Sequence, residues 1–126
     1  SLYVLIGLGG MELTEQHARN TAQVINAIGP DIVRPRTLYI QEDTPLWHRR
    51  QRGDFTEAGP REALLEVRAL VEDIQVPVDL VSDHITNYLP IYGRLPEQRA
   101  ELLGQIDRTL TQADLSGLRP QHFTHL

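Results

Sequence analysis

Three short stretches of this sequence gather the residue types that hold or transform ligands. The first is Gly7-Leu8-Gly9-Gly10-Met11-Glu12, which follows an apolar run and precedes a helical pattern. A dinucleotide fingerprint, G-x-G-x-x-G, uses its third glycine for close helix–strand packing beside the pyrophosphate. Glu12 stands at that position, and its carboxylate would repel a pyrophosphate. The turn then reads in one of two ways. It is a tight strand-to-helix connection that needs positive φ, or it lets a flat, less charged ligand come close to the strand end. The second stretch is Val33–Tyr39, with Arg34 and Arg36 two residues apart. On a strand both point to one face. Two guanidiniums there bind a carboxylate or phosphate in forked geometry, or they pair with Asp or Glu of neighbouring elements. The third stretch is Ser82-Asp83-His84-Ile85-Thr86-Asn87-Tyr88-Leu89-Pro90. It lies at the C-terminal end of a strand, where parallel α/β folds place their ligand sites. Ser82, Asp83 and His84 do not make a catalytic triad, because strand neighbours point to opposite faces and no nucleophile elbow is present. Capping of a following helix is the structural alternative.

Other chemistry is excluded or weakly supported. The chain has no cysteine, so it holds no disulfide, thiolate zinc site or iron–sulfur ligand of its own. Its histidines (17, 48, 84, 122 and 125) form no H-E-x-x-H pattern, and metal ligation is not expected. His122 and His125 read as exposed tail residues. The run His48-Arg49-Arg50-Gln51-Arg52 is a basic patch that reads as a solvated helix face or a phosphate contact. The net charge of −5 argues against a dedicated nucleic-acid binder, which carries a basic footprint. No apolar stretch approaches the roughly 20 residues of a membrane span, and a cytoplasmic protein is expected. All twelve basic residues are arginine.

The elements that must position these residues alternate between strand and helix. Leu2–Leu8 is a continuous apolar run of the kind seen in strands buried on both faces. Thr14 is the expected N-cap of a helix carrying Ala18, Ala22, Ile25 and Ile28, which Gly29-Pro30 stops. Residues 32–40 form a strand weakened by Pro35. Thr44-Pro45 opens a short helix to about residue 52. Gly59-Pro60 opens the clearest helix, with Ala63, Leu64, Val67, Leu70, Val71 and Ile74 along one stripe. Residues 78–81 make a third strand, residues 83–93 read as irregular, and Pro96 begins a last helix that Ser116-Gly117 ends. The expected fold class is α/β, a three-stranded parallel βα unit. It is a single domain over residues 1–126, regular from about 2 to 112 with a tail over 113–126. The chain's 126 residues are about half of a (β/α)₈ barrel. A sheet this small leaves open edges, which predicts either a homo-oligomer or missing strands in a longer chain.

The glycine turn, the R-x-R-T-L…T-P-L pattern from Val33 to Leu46, and S-D-H-I-T-N-Y-L-P-I-Y-G-R-L-P-E from Ser82 to Glu97 occur in this order. Together they resemble the C-terminal half of a radical S-adenosylmethionine (SAM) protein, in the branch with coproporphyrinogen-dehydrogenase-like and elongator-like members. The resemblance covers about residues 2–112. It implies the last part of a partial (β/α)₆ TIM-like barrel. In that family a C-x-x-x-C-x-x-C triplet holds a [4Fe–4S] cluster, which cleaves SAM to a hydrogen-abstracting radical in oxidoreductase-type reactions. With no cysteine, the chain would hold neither cluster nor SAM alone. Its partner would be the missing N-terminal half of the barrel. The resemblance places the SAM adenine near Gly7, Gly9 and Glu12 on one strand end and near Ile40 and Gln41 on the next. Arg34, Arg36, Asp83, Asn87 and Tyr88 would line the substrate side, with no metal ligand and no catalytic residue in the chain itself. The alternative from the residues alone is a free-standing α/β module binding an anionic small molecule or protein through Arg34 and Arg36, without catalysis. A purely structural, oligomerising domain is the third reading.

Overall fold

The structure is a computed structural model that describes residues 1–112 and 115. Its elements run β1 (Leu2–Ile6), α1 (Thr14–Ile28), β2 (Ile32–Thr37), α2 (Pro45–Gln51), α3 (Pro60–Asp73), β3 (Val78–Ser82), β4 (Ile91–Leu95) and α4 (Arg99–Leu110). The strands form one sheet in the order β1-β2-β3-β4. β1, β2 and β3 are mutually parallel, and β4 returns antiparallel to β3.

That fourth strand corrects the expectation of three parallel strands with an irregular segment through residue 93. Ile91-Tyr92-Gly93-Arg94-Leu95 alternates inward and outward positions, with Ile91 and Leu95 buried and Tyr92 and Arg94 exposed. Period two is the mark of a half-buried strand. Gly93, Pro90 and Pro96 interrupt the apolar signal, and these residues punctuate turns more often than strands. The glycine has a packing reason. A Cβ at Gly93 would stand 3.2 Å from both Leu102 methyls on α4, so α4 approaches the sheet where a side chain is missing.

Among the described residues, only one face of the sheet is covered. Ile6, Val33, Val78, Leu80, Ile91 and Leu95 join Ala22 and Ile25 of α1, the α3 stripe, and Leu102 and Ile106 of α4 in a single core. The opposite face shows Tyr3, Leu5, Arg36, Asp79, Tyr92 and Arg94 to solvent. β1 is therefore not buried on both faces as its continuous apolar run suggests. Tyr3 is 56% exposed, because no helix among the described residues crosses on that side.

The helix signals are mostly confirmed. Thr44 caps α2, accepting the Trp47 N–H at 3.2 Å. Gly59 precedes Pro60 at the start of α3, and Gly29 ends α1 in the left-handed region with its N–H on the Ile25 carbonyl. Thr14 is not the cap of α1. Leu13 holds that position, and the Thr14 hydroxyl donates back to the Gly10 carbonyl at 2.9 Å. The α4 helix ends at Leu110, short of Ser116-Gly117, which lie outside the described residues together with His122 and His125. No helix among the described residues is long and apolar enough to cross a membrane.

The single-sided packing yields a direct contrast on β4. Gly93→Val forces a branched side chain against buried Leu102, and overpacking of this kind costs about 1–3 kcal/mol. Tyr92→Val on the open face changes stability by less than about 0.5 kcal/mol. Thermal unfolding of the two variants checks the difference.

Candidate functional site

Three loops leave the C-terminal ends of the parallel strands, and the sequence-nominated residues lie on them. Gly7, Gly9 and Glu12 follow β1, Ile40 and Gln41 follow β2, and Asp83, Asn87 and Tyr88 follow β3. Arg34 and Arg36 lie within β2 itself.

The β1 loop is a tightly tied turn. Gly7 and Gly10 both have positive φ, 93° and 65°. The Gly10 N–H donates to the Gly7 carbonyl at 3.0 Å, and the Met11 N–H donates to the Thr56 carbonyl at 3.0 Å. A Cβ on Gly10 would stand 2.8 Å from that same Thr56 oxygen, so backbone meets backbone there and only glycine fits. The Gly7 N–H donates to Glu66 Oε1 at 2.8 Å. The other Glu66 oxygen pairs with His17 Nδ1.

Glu66 is the residue that sequence reading missed. It is 1% exposed and joins α3 to both the β1 turn and α1. A signal was present. Position 66 is three residues after Ala63 and four before Leu70, so it falls on the buried stripe of α3. Burial raises its carboxyl above the ordinary 4.5, outweighing the Gly7 N–H and His17, which favour the charged form.

The β3 loop is held by Asn87, which is 3% exposed. Its Oδ1 accepts the Thr37 N–H at 2.8 Å and the Thr37 hydroxyl at 2.9 Å. Its Nδ2 donates to the Pro35 carbonyl at 2.9 Å and to Ser82 Oγ at 3.2 Å. All four hydrogen-bonding positions of the amide are filled. The side chain stands in for a strand residue. Asp31 accepts from the β3 residue Asp79, so the odd-numbered β2 residues turn their backbone groups toward β3. The β2–β3 register covers only Ile32↔Asp79 and Val33↔Leu80, and Pro35 has no N–H to continue it. Asn87 carries the pairing past that gap. Beside it, the Thr86 N–H donates to His84 Nδ1 at 3.2 Å. Tyr88 packs against the core, and burial with nearby Glu57 and Glu62 pushes its phenol upward. Asn87 and Tyr88 thus turn inward.

Arg34 and Arg36 face the open side of the sheet, as their spacing requires. The Arg36 guanidinium lies 4.5 Å from the centre of the Tyr3 ring. Among the described residues neither arginine has an ion pair with Asp or Glu, so the expected pairing with neighbouring acids is not what holds them. The basic run of α2 is different. Arg50 pairs with Glu57 at 2.7 Å, Arg52 with Asp54 at 3.1 Å, and His48 lies 3.9 Å from Asp43. Much of that patch is locally neutralised. Among the described residues no group of three His, Asp or Glu is placed to hold a metal ion.

Two measurements follow from the buried polar groups. Asn87→Leu keeps the volume but strips partners from the Thr37 N–H and the Pro35 carbonyl, lowering stability by roughly 3 kcal/mol. Asn87→Asp keeps the Thr37 acceptor but sets an oxygen against the Pro35 carbonyl, 2.9 Å from Nδ2 in Asn87, and it also destabilises; urea unfolding measures both. For Glu66 the raised value means the folded chain holds the proton more tightly than the unfolded one. Stability therefore falls as pH rises from 4.5 toward the raised value. Glu66→Gln keeps an acceptor for the Gly7 N–H and flattens that decline in urea midpoints measured across pH; parallel curves for the two proteins would refute it. Comparison with family models, with curated proteins and with solved structures finds no match to this chain.

Proposed function

We propose that this chain is the C-terminal part of a radical SAM-type barrel, supplying contacts to the SAM adenine and to substrate and inert by itself. One observation carries the reading: among the described residues, helices cover the parallel strands on one face only. The bare face, with Tyr3, Arg34 and Arg36, matches what a barrel would enclose, and β1 stands at the sheet edge where further strands would add. The interior of a closed barrel is lined by strand side chains, and its ligands gather at the strand C-terminal ends.

The chain's residues fit part of such a cofactor site. The backbone N–H groups of Gly9, Ile40 and Gln41 make no backbone hydrogen bond among the described residues, and all three lie at the C-terminal ends of β1 and β2. They are the groups that would hold an adenine edge. Gly7 serves differently, since its N–H is committed to Glu66, so it shapes the turn. Glu12 is exposed beside Met11 and Thr14. The cluster, held by cysteines this chain lacks, would come from the other half of the barrel, and the cofactor would supply hydrogen-atom abstraction. A cytoplasmic protein belongs to the same reading.

That Arg34 and Arg36 have no ion pair among the described residues favours a second reading, a self-sufficient module that binds an anion without catalysis. The coding sequence ahead of Leu2 separates the two. The first reading expects an in-frame C-x-x-x-C-x-x-C triplet there, and its absence sinks that reading. The isolated chain is expected to take up no iron on anaerobic reconstitution and to release no 5′-deoxyadenosine from SAM. In the longer protein, Arg36→Ala leaves SAM cleavage in place and lowers substrate turnover; equal loss of folding and turnover would assign Arg36 a structural role instead.

A further inference from the structure

The open face of the sheet carries an uncompensated pair of positive charges on an acidic chain. Net charge is −5, yet no carboxylate among the described residues pairs with Arg34 or Arg36. The one acid that the strands place on this face, Asp79, faces Arg94 across the β3–β4 register and lies 3.3 Å from its guanidinium. Arg94 has a second carboxylate, Glu97, at 3.7 Å. The sheet's own negative charge is thus spent on β4, and β2 is left with none.

Geometry makes the β2 pair usable. Residues two apart on a strand have Cα atoms about 6.6 Å apart on the same face, so both forks reach one oxyanion or two held by a short spacer. Arg36 is also pre-set. Tyr3 lies directly across from Arg34 in the register, one row from Leu5 and Arg36, and its ring supports the Arg36 guanidinium at 4.5 Å. A cation on an aromatic face is restrained without losing its hydrogen-bond donors. Less freedom remains to be lost when a ligand binds. Arg34 is half-buried between its neighbours, where it is less screened than a fully exposed charge.

We propose that Arg34 and Arg36 form a two-point oxyanion site on the open sheet face, with Tyr3 as the residue that positions Arg36, for a small organic anion bearing carboxylate or phosphate groups. The site deepens the substrate side of the function proposed above, and rests on that reading only in calling the ligand a substrate. Binding itself requires nothing but this chain.

The test follows the arginine side-chain Nε–H signals of the 126-residue chain by NMR. Inorganic phosphate and glutarate are titrated separately at constant ionic strength, balanced with chloride. Arg34 and Arg36 are expected to shift together and saturate, while Arg52, already paired with Asp54, stays in place. Tighter saturation by phosphate assigns a phosphate ester, and tighter saturation by glutarate assigns a dicarboxylate. Arg34→Gln and Arg36→Gln each weaken binding about tenfold, the scale of one lost charge-assisted contact. Tyr3→Leu weakens it through Arg36, and Tyr3→Phe, which keeps the ring face, restores it. Three results overturn the proposal: no saturation by either anion, equal shifts at Arg52, or affinity unchanged in both arginine variants. None of these bears on the upstream cysteine triplet, so the two readings fail separately.

Discussion

Pro35 cannot donate a backbone hydrogen bond, and much of the fold is arranged around that deficit. It sits in β2 with its missing N–H on the β3 side, so the β2–β3 ladder ends at Val33↔Leu80. A buried strand cannot leave the following Thr37 N–H and Pro35 carbonyl without partners. Asn87 supplies both, and its amide lies where a backbone amide of a longer β3 would lie. The loop from Asp83 to Pro90 is thereby drawn across the end of β2. From there the chain re-enters the sheet in the only available direction, antiparallel to β3, as β4. One residue without a donor thus decides where the parallel sheet stops, which loop covers its end, and which edge is left for growth.

A second constraint ties the glycine turn to the helical layer. Glu66 is a carboxylate on the buried stripe of α3, and burying a charge is costly unless it is paired. Its two oxygens meet a backbone N–H from the turn after β1 and an imidazole from α1. The same group that strains the core therefore locks three elements in one relative position. Gly7 and Gly10 supply the positive φ that lets the backbone turn into reach of Glu66 and Thr56. The turn's shape is set from inside the protein, and the Gly9 N–H is left without a backbone partner among the described residues.

Periodicity made most of the fold legible. The α3 stripe, the Thr44-Pro45 start and the Gly29 stop each have a local physical cause, and each lies where the residues put it. β4 was hidden because Gly93 and two prolines mimic a loop, while the reason for the glycine, the approach of Leu102, is tertiary. Thr14 misled because a hydroxyl near a helix start satisfies the Gly10 carbonyl as readily as it caps an amide. At the candidate site, the common face of Arg34 and Arg36 followed from strand geometry alone. The inward turn of Asn87 and Tyr88 did not, since a polar loop residue shows no sign of which backbone it will satisfy. Glu66 was readable in principle from its helical phase, but a glutamate among leucines and valines is easily taken for part of the exposed face.

Strand order in the sheet equals strand order in the chain. Every pairing therefore joins consecutive strands, and none requires a later segment to insert between two that have already met. Loop closures are limited to neighbours, the arrangement that keeps contact order low for a parallel sheet. The β3–β4 hairpin closes over the shortest span of the three pairings. The longer closures bring in β2 and β1, and β1, the most N-terminal strand, is the edge of the sheet.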